Sequence, residues 1–385
     1  MRMPHVSQHI SLPYRKYYLI LQYIWCVVHL CKQPFQMKET IEEYFLNTAS
    51  PDDFPSQRDY IATYRSFKDF MNREIHPEVK TMTTRLDETI YLNDHSANHV
   101  LMVIEKISAL LGTDGFSQLS NYEIFFLLIA VHIHDAGHIF NGREGHEKNG
   151  GKFLTEISKY TLSNIELREI RKIAQAHSGK EDPIGSLELM PIISGKPIRS
   201  RLLAALLRMG DELADGRPRS SNYLLDHNLI SESSKLFHAF SSCLDSFEPV
   251  MASHEISMTF CLNRTIALNS FRKNTKNGLQ EIYLIDEIYT RSLKTFCECL
   301  YYNRFVPDNL RLSTLNVTIN FIEEGEFDDF YERITYRIEE KGYPNLSFDN
   351  IFELCGDSLK RNGINLTGEN IKNHLKNEVA DNESV

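Results

Sequence analysis

His134 and Asp135 stand side by side near the end of an apolar run, Phe125 to His138 (FFLLIAVHIHDAGH). A run of that composition buries itself, and a buried imidazole or carboxylate is costly unless something satisfies it. One economical arrangement satisfies both: the two side chains point at the same divalent metal ion. Such a site needs further ligands, and the chain has ionisable groups in suitable places on both sides. His99 lies one turn before Val103, on the apolar stripe Val100, Val103, Ile104, Ile107, Leu110 and Leu111 of DHSANHVLMVIEKISALL. His177 shares a face with Ile170, Ile173 and Ala174 at i, i+3, i+4, i+7 spacing. Asp211 falls on the Leu203 and Leu207 side of IRSRLLAALLRMGDEL. Any one such histidine reads most simply as a core residue bonded to a carbonyl. Four oddities in four separate helices resist four independent explanations. Imidazole with carboxylate suits Mn²⁺, Fe²⁺, Co²⁺, Ni²⁺ or Zn²⁺, and the sequence does not separate these, or Mg²⁺, from one another.

Helices must bring these groups together. Asp94 or Ser96 starts the first and Gly112 ends it; Ser120 or Asn121 starts the one that closes on His134 and Asp135, with Gly137 as its stop. After an Asn141-Gly142 turn, the polar loop GREGHEKNGGK carries His146 towards a helix from about Glu147 to Tyr160. Loops beside a rigid site commonly hold substrate. Helices from Asn164 to His177 and from Ile198 to Leu213 come next, separated by a turn-rich excursion. Upstream, Lys38 to about Lys80 is amphipathic and helical, broken at Ser50-Pro51-Asp52 and at Pro77, with Tyr60, Tyr64, Phe67 and Phe70 as packing residues. Downstream the character changes. Ile256–Ala267 reads as strand with a bend at Leu262-Asn263-Arg264, Gly278–Tyr302 as one long helix, Leu312–Phe321 as strand, and the chain from Glu323 as polar and helical in places. The expected fold class is mainly α: a helical bundle and then a small α+β module. The expected divisions are 1–36 (an N-terminal extension), 37–84 (a helical segment), 85–235 (the bundle), 236–325 (the α+β module) and 326–385 (polar helices and a tail).

The chain has 385 residues, 42% hydrophobic and 24% charged, the make-up of an ordinary soluble globular protein. Its net charge of -10 argues against a general nucleic-acid-binding surface, although a local basic pocket for one phosphate remains compatible. Seven cysteines without a CxxC pair indicate neither a disulfide framework nor structural zinc, and reduced thiols fit a cytoplasmic protein. Tyr18–Leu30 (YLILQYIWCVVHL) comes after Arg15 and Lys16 but is short for a bilayer span and lacks a small-residue cleavage site. It reads as a core or docking helix, with no membrane role. Met37 is an alternative start, which would make the residues before it a start-site artefact.

Taken in order, His99, His134-Asp135 and Asp211 resemble the H…HD…D signature of the HD superfamily of metal-dependent phosphohydrolases, over roughly Asn93 to Gly216. NHVLMV is similar to that family's first-helix motif, HDAGH to its central motif, and LLRMGDELAD to the helix bearing the last aspartate. A looser similarity is to the HD domains of bacterial conflict and stress systems. The resemblance implies an HD-type bundle in which His99, His134, Asp135 and Asp211 bind a first metal. It places His146 and His177 where two-metal members hold extra ligands, with Asp135 bridging; in single-metal members the corresponding histidines face the substrate phosphate. One or two divalent ions per chain are both open. His138 resembles a histidine that nucleotide-hydrolysing members use near the phosphate, so Asp135 and His138 are the candidate catalytic pair.

Beside these, His95 is a rival to His99 as first ligand, and His132 is expected to pack or bond locally. Arg143, Lys148, Lys180 and Arg208, with His146 and His177, are candidates to hold phosphate oxygens; Asp94, Glu144, Glu147 and Glu212 could orient ligands or move protons. The function this implies is hydrolysis of a nucleotide or other small phosphate ester by metal-activated water. The alternative is a nucleotide-sensing module on an HD core that signals through its C-terminal half, where a partner protein or a second copy would dock. A purely structural reading requires at least four coincidences of residue type and helix face.

Overall fold

The computed structural model describes residues 39–382 except 57, 84–91, 143, 156–161, 180, 276–277, 324–328 and 341–349. The apolar stretch Tyr18–Leu30 and the alternative start Met37 lie outside these residues, as do the phosphate candidates Arg143 and Lys180. The described elements belong to one unit, which begins at Thr40.

The bundle is built around a helix with no polar face. Helix α1 (Ile41–Thr48) leads to α2 (Tyr60–Phe70), which runs through a widened π-type turn at Met71–Ile75 into α3 (His76–Thr83). The turn absorbs Pro77, where the sequence suggests a break. Helices α4 (Ala97–Leu111) and α5 (Asn121–Ile133) come next, and every residue of α5 from Tyr122 to Ile133 is buried. A helix apolar all round is buried all round, and α5 is touched by α1, α2, α4 and by two later helices, α6 (Asn164–Gln175) and α7 (Ser200–Leu213). The stretch Asn121–Phe140 is long and apolar enough to cross a membrane, yet Tyr122 to His138 is buried inside the protein.

The starts of these helices are tied together. Ser120 caps α5 in a reciprocal box with Glu123, and Glu123 also takes the Arg199 guanidinium at 2.7 Å, just before α7 begins. Ser163 caps α6 in the same way with Glu166, whose Oε1 accepts the Tyr60 and Tyr122 hydroxyls at 2.7 Å each. Each cap thus does two jobs: it satisfies free N–H groups and it fixes where the far end of the helix points. At Gly210 an added Cβ would lie 2.6 Å from Ile107 Cγ1, so the glycine lets α7 approach α4 closely, one residue before Asp211.

The chain then leaves the bundle through α8 (Glu232–Cys243) and strands β1 (Leu244–Val250) and β2 (Glu255–Asn263), and continues into the hairpin β3 (Ser270–Thr275) and β4 (Gly278–Tyr283). Helix α9 (Leu284–Tyr302) leads to β5 (Thr314–Ile322) and β6 (Asp329–Glu339), and α10 (Gly368–Asn382) ends the described chain. The larger sheet has the order β1-β2-β5-β6, with β2 and β5 parallel and the outer pairs antiparallel. Ile256, Met258, Phe260 and Leu262 bury one face of β2, and α9 packs on the sheet. Buried apolar residues form one cluster from Ile41 to Leu375, so the α+β module is continuous with the bundle. The fold is mainly α with a small α+β module.

Three local expectations need correction. Asn263 does not turn a hairpin: its side chain accepts from Ile266 N at 2.9 Å and caps a short helix, Arg264–Leu268. Residues 278–283 are strand rather than the first turns of α9, because their backbone pairs with Ser270–Thr275; tertiary pairing overrides a local pattern here. Residues 329–339 are strand where polar helix was expected. A register shift at Phe321, opposite Tyr331, leaves a three-residue step between the buried Tyr331 and Ile334, beyond which Ile334, Tyr336 and Ile338 alternate regularly.

Candidate metal centre

Asp135 is the hub. Its carboxylate is buried, and its two oxygens face different groups of imidazoles. On the Oδ2 side lie His134 Nε2 at 3.3 Å, His99 Nε2 at 3.4 Å and, more distantly, His95 Nε2 at 4.0 Å. Asp211 Oδ1 closes this group, 3.0 Å from His99 Nε2 and 3.7 Å from His134 Nε2. On the Oδ1 side lie His146 Nε2 at 3.3 Å, His177 Nε2 at 3.6 Å and His138 Nε2 at 3.7 Å. The ligand atoms of His99, His134, Asp135 and Asp211 all lie within 4.8 Å of one another, as do those of Asp135, His146 and His177, and those of His95, Asp135 and His138. Side chains far apart in sequence therefore converge as the motif spacing implied, and His95 joins the edge of the cluster without displacing His99.

The hydrogen bonds around the cluster show what it lacks. His134 Nδ1 bonds Val131 O at 2.7 Å and His177 Nδ1 bonds Ala174 O at 2.6 Å. A carbonyl only accepts, so each Nδ1 carries a proton and each Nε2 is the nitrogen that faces inward. For His134 that nitrogen faces two carboxylate oxygens, and among the described residues its Nε2, like His99 Nδ1 and His138 Nδ1, has no hydrogen-bond partner. Acceptor against acceptor in a buried place is unfavourable unless a proton or a cation lies between them. The electrostatics agree. Burial alone would depress the His134 pKa, but Asp135 and Asp211 raise it well above the usual imidazole value. Burial would raise Asp135, yet His134, His146 and His177 hold it well below the ordinary carboxylate range. His138 is pushed down to about 4, chiefly by burial, and stays neutral. The donor set, carboxylates with inward-facing imidazole nitrogens, two of whose rings are braced by carbonyls, fits a divalent metal.

Two glycines make the crossing that brings His146 in. An added Cβ at Gly137 would sit 1.9 Å from His146 O, and one at Gly150 would sit 2.0 Å from Ile133 O. Backbone rather than side chain stands in the way, so neither contact relaxes cheaply. Gly150→Ala is expected to cost roughly 3 kcal/mol and to displace His146. Urea unfolding checks this, and wild-type stability would refute the crossing constraint.

The remaining candidates separate. Lys148 and Glu144 are exposed, and Lys148 does not line the cleft above the centre. Arg208 is committed to Glu298 at 2.6 Å and 2.8 Å. Glu147 Oε2 lies 3.6 Å from His146 Nδ1, where it can orient that ring. Asp94 Oδ1 accepts from Ser96 N at the start of α4. His132 is buried away from the cluster between His76, at 3.3 Å, and the Tyr64 hydroxyl, at 3.4 Å. The cleft itself, about 220 Å³, has a wall that sequence reading did not supply: Arg219, then Phe237 and Phe240 of α8, Phe247 and Met258 of the sheet, and Arg291, Lys294 and Thr295 of α9. The C-terminal module thus closes one side of the centre. Its residues carried no motif, and only the Gly216-Arg217-Pro218 turn signal marked where the chain folds back over the cluster.

No curated protein and no solved structure matches the chain. A family model does: residues 88–263 match HD-CE. That span contains every residue of the cluster in the order the motifs require; the match fits an HD-type domain, and the ligand atoms of its buried His/Asp cluster lie close enough together to hold a metal ion.

Proposed function

We propose that the protein is a divalent-metal-dependent phosphohydrolase acting on a nucleotide or another small phosphate ester. The observation that carries this reading is the division of Asp135, one oxygen towards His99, His134 and Asp211 and the other towards His146 and His177. That arrangement suits two ions sharing one carboxylate. His99, His134, Asp135 and Asp211 would hold the first, and Asp135, His146 and His177 the second. Such ions lower the pKa of bound water to about 7 and polarise a phosphoryl oxygen.

The chain's own groups supply the rest. The carbonyls of Val131 and Ala174 fix the ring orientations of His134 and His177, so no reorganisation is needed at the moment of reaction. His138 stays neutral because it is buried, and its Nε2 lies on the Oδ1 side of Asp135, where it can accept or return a proton at the substrate. The walls from α8, the sheet and α9 restrict water and the size of what enters.

Metal analysis of purified protein, and then a screen of nucleotides and generic phosphate esters with added Mn²⁺, tests the reading. Bound metal with turnover supports it; metal-loaded protein inert towards every phosphate ester would refute it. A second reading, nucleotide sensing, has one observation in its favour. Glu212, next to Asp211, bonds Thr295 of α9 at 2.8 Å and also pairs with Lys294, so the centre is mechanically joined to the C-terminal module. Ligand-induced stabilisation without turnover would favour that reading.

A further inference from the structure

Among the described residues three cations line the cleft over the metal centre, and they are not equivalent. Arg291 is spent on carboxylates, Asp215 at 3.4 Å and Glu287 at 3.2 Å, and lies 4.5 Å over the Phe240 ring. Lys294 is paired with Glu212. Arg219 is different. Its Nε donates to Asp94 O at 2.9 Å and its Nη1 to Ala214 O at 3.1 Å, and among the described residues no carboxylate pairs with it.

Main-chain carbonyls fix a guanidinium without neutralising it. The guanidinium has five N–H donors in a rigid plane; Nε and Nη1 each give one to a carbonyl, leaving both Nη2 hydrogens uncommitted among the described residues. The placement is equally specific. The Arg219 N–H bonds Gly216 O at 3.0 Å, so the turn after α7 folds this residue back. Asp94 N returns a bond to Arg219 O at 3.2 Å, which fixes Arg219 beside His95 at the start of α4. Arg219 and His95 line the same cleft as Asp135, His138 and His146. A half-buried, pre-oriented and uncompensated positive charge facing a cleft is the arrangement that recognises a phosphate through paired N–H donors.

We infer that Arg219 is the substrate-binding residue that grips the phosphate of a phosphate monoester from the side of the cleft next to His95. The inference rests on the phosphohydrolase reading and narrows it: the ligand presents a phosphate to Arg219 and turns its organic part towards the α8 and α9 wall. Arg219 also braces the start of α4, so its test needs a readout that bracing alone would not move.

Full-length, Mn²⁺-loaded protein should be titrated with inorganic phosphate by calorimetry, with metal content measured on each sample. Arg219→Gln is expected to keep its metal and to weaken phosphate binding roughly tenfold, with the same loss in kcat/KM arising in KM. Arg219→Lys keeps the charge but offers a single ammonium in place of the planar fork and so no paired N–H donors, and should fall about threefold below wild type. If Arg219→Gln fails to fold or loses metal, Arg219→Lys decides: wild-type phosphate affinity in that variant overturns the inference. Wild-type affinity in a folded, metal-loaded Arg219→Gln protein overturns it directly. In either case wild-type turnover leaves the hydrolase reading standing, whereas a wild-type protein that neither binds phosphate nor hydrolyses any ester ends both.

Discussion

The Asp135→Ala protein is expected to fold, to bind no divalent metal, and to hydrolyse phosphate esters at least roughly 10³-fold more slowly than wild type. Both losses stem from one side chain, because its oxygens face both imidazole groups, at 3.3 Å to His134 and 3.3 Å to His146. The fold survives because the core does not depend on the centre: buried apolar residues run continuously from Ile41 to Leu375. His134 also keeps Asp211 nearby, at 3.7 Å, so its imidazole is not left without a counter-charge. Partial removals then resolve the stoichiometry. His177→Ala touches only the Oδ1 side and should lose one ion while keeping the other. If wild type holds two ions, His177→Ala one and Asp135→Ala none, Asp135 is a bridge. An Asp135→Ala protein with wild-type metal content, measured after dialysis, would place the ion elsewhere and end the assignment.

The site was legible in the sequence because a metal centre in a helical bundle leaves a signature that ordinary packing does not. His99, His177 and Asp211 stand on apolar helix faces where burial is expensive, and the helices themselves are bounded by local signals: Ser120 with Glu123, Ser163 with Glu166. The cleft wall was not legible for the opposite reason. Phe237, Arg291 and Lys294 have compositions that suit any amphipathic helix, and long-range packing of α9 against α7 is needed to bring the last two to Asp211. Arg219 shows the same limit, since its two partners are main-chain carbonyls, which every residue carries. The missed strands have separate causes. Residues 278–283 are strand through their pairing with Ser270–Thr275, and in β6 the three-residue step from Tyr331 to Ile334 hides the alternation of Ile334, Tyr336 and Ile338. Asn263 illustrates how one residue type serves both a turn and a helix cap, with the choice made by the conformation of the residues after it.

Metal affinity should rise steeply with pH, about tenfold per unit through the range in which His134 is protonated in the metal-free protein. Burial opposes that proton, but Asp135 and Asp211 outweigh it and raise the His134 pKa well above its usual value, so the metal-free centre carries an imidazolium near neutrality. A metal needs the lone pair that this proton occupies, and binding must release it. His138, held at about 4 by burial, is already neutral there and contributes no proton. The same charges set the stability of the metal-free fold. The raised His134 contributes fully below its unfolded value of about 6.5, and that contribution is lost as pH rises through the folded pKa. The lowered Asp135 contributes above its unfolded value of about 3.9 and is lost as pH falls. Metal-free protein should therefore soften towards alkaline pH while the metal-loaded form does not, so the difference in Tm between loaded and chelated samples widens from about pH 6 to about pH 9. Calorimetric heats of metal binding should also scale with the ionisation enthalpy of the buffer, as proton release demands. A Tm difference that stays constant across that range, with buffer-independent heats, would mean that no proton is displaced and that His134 is not a ligand.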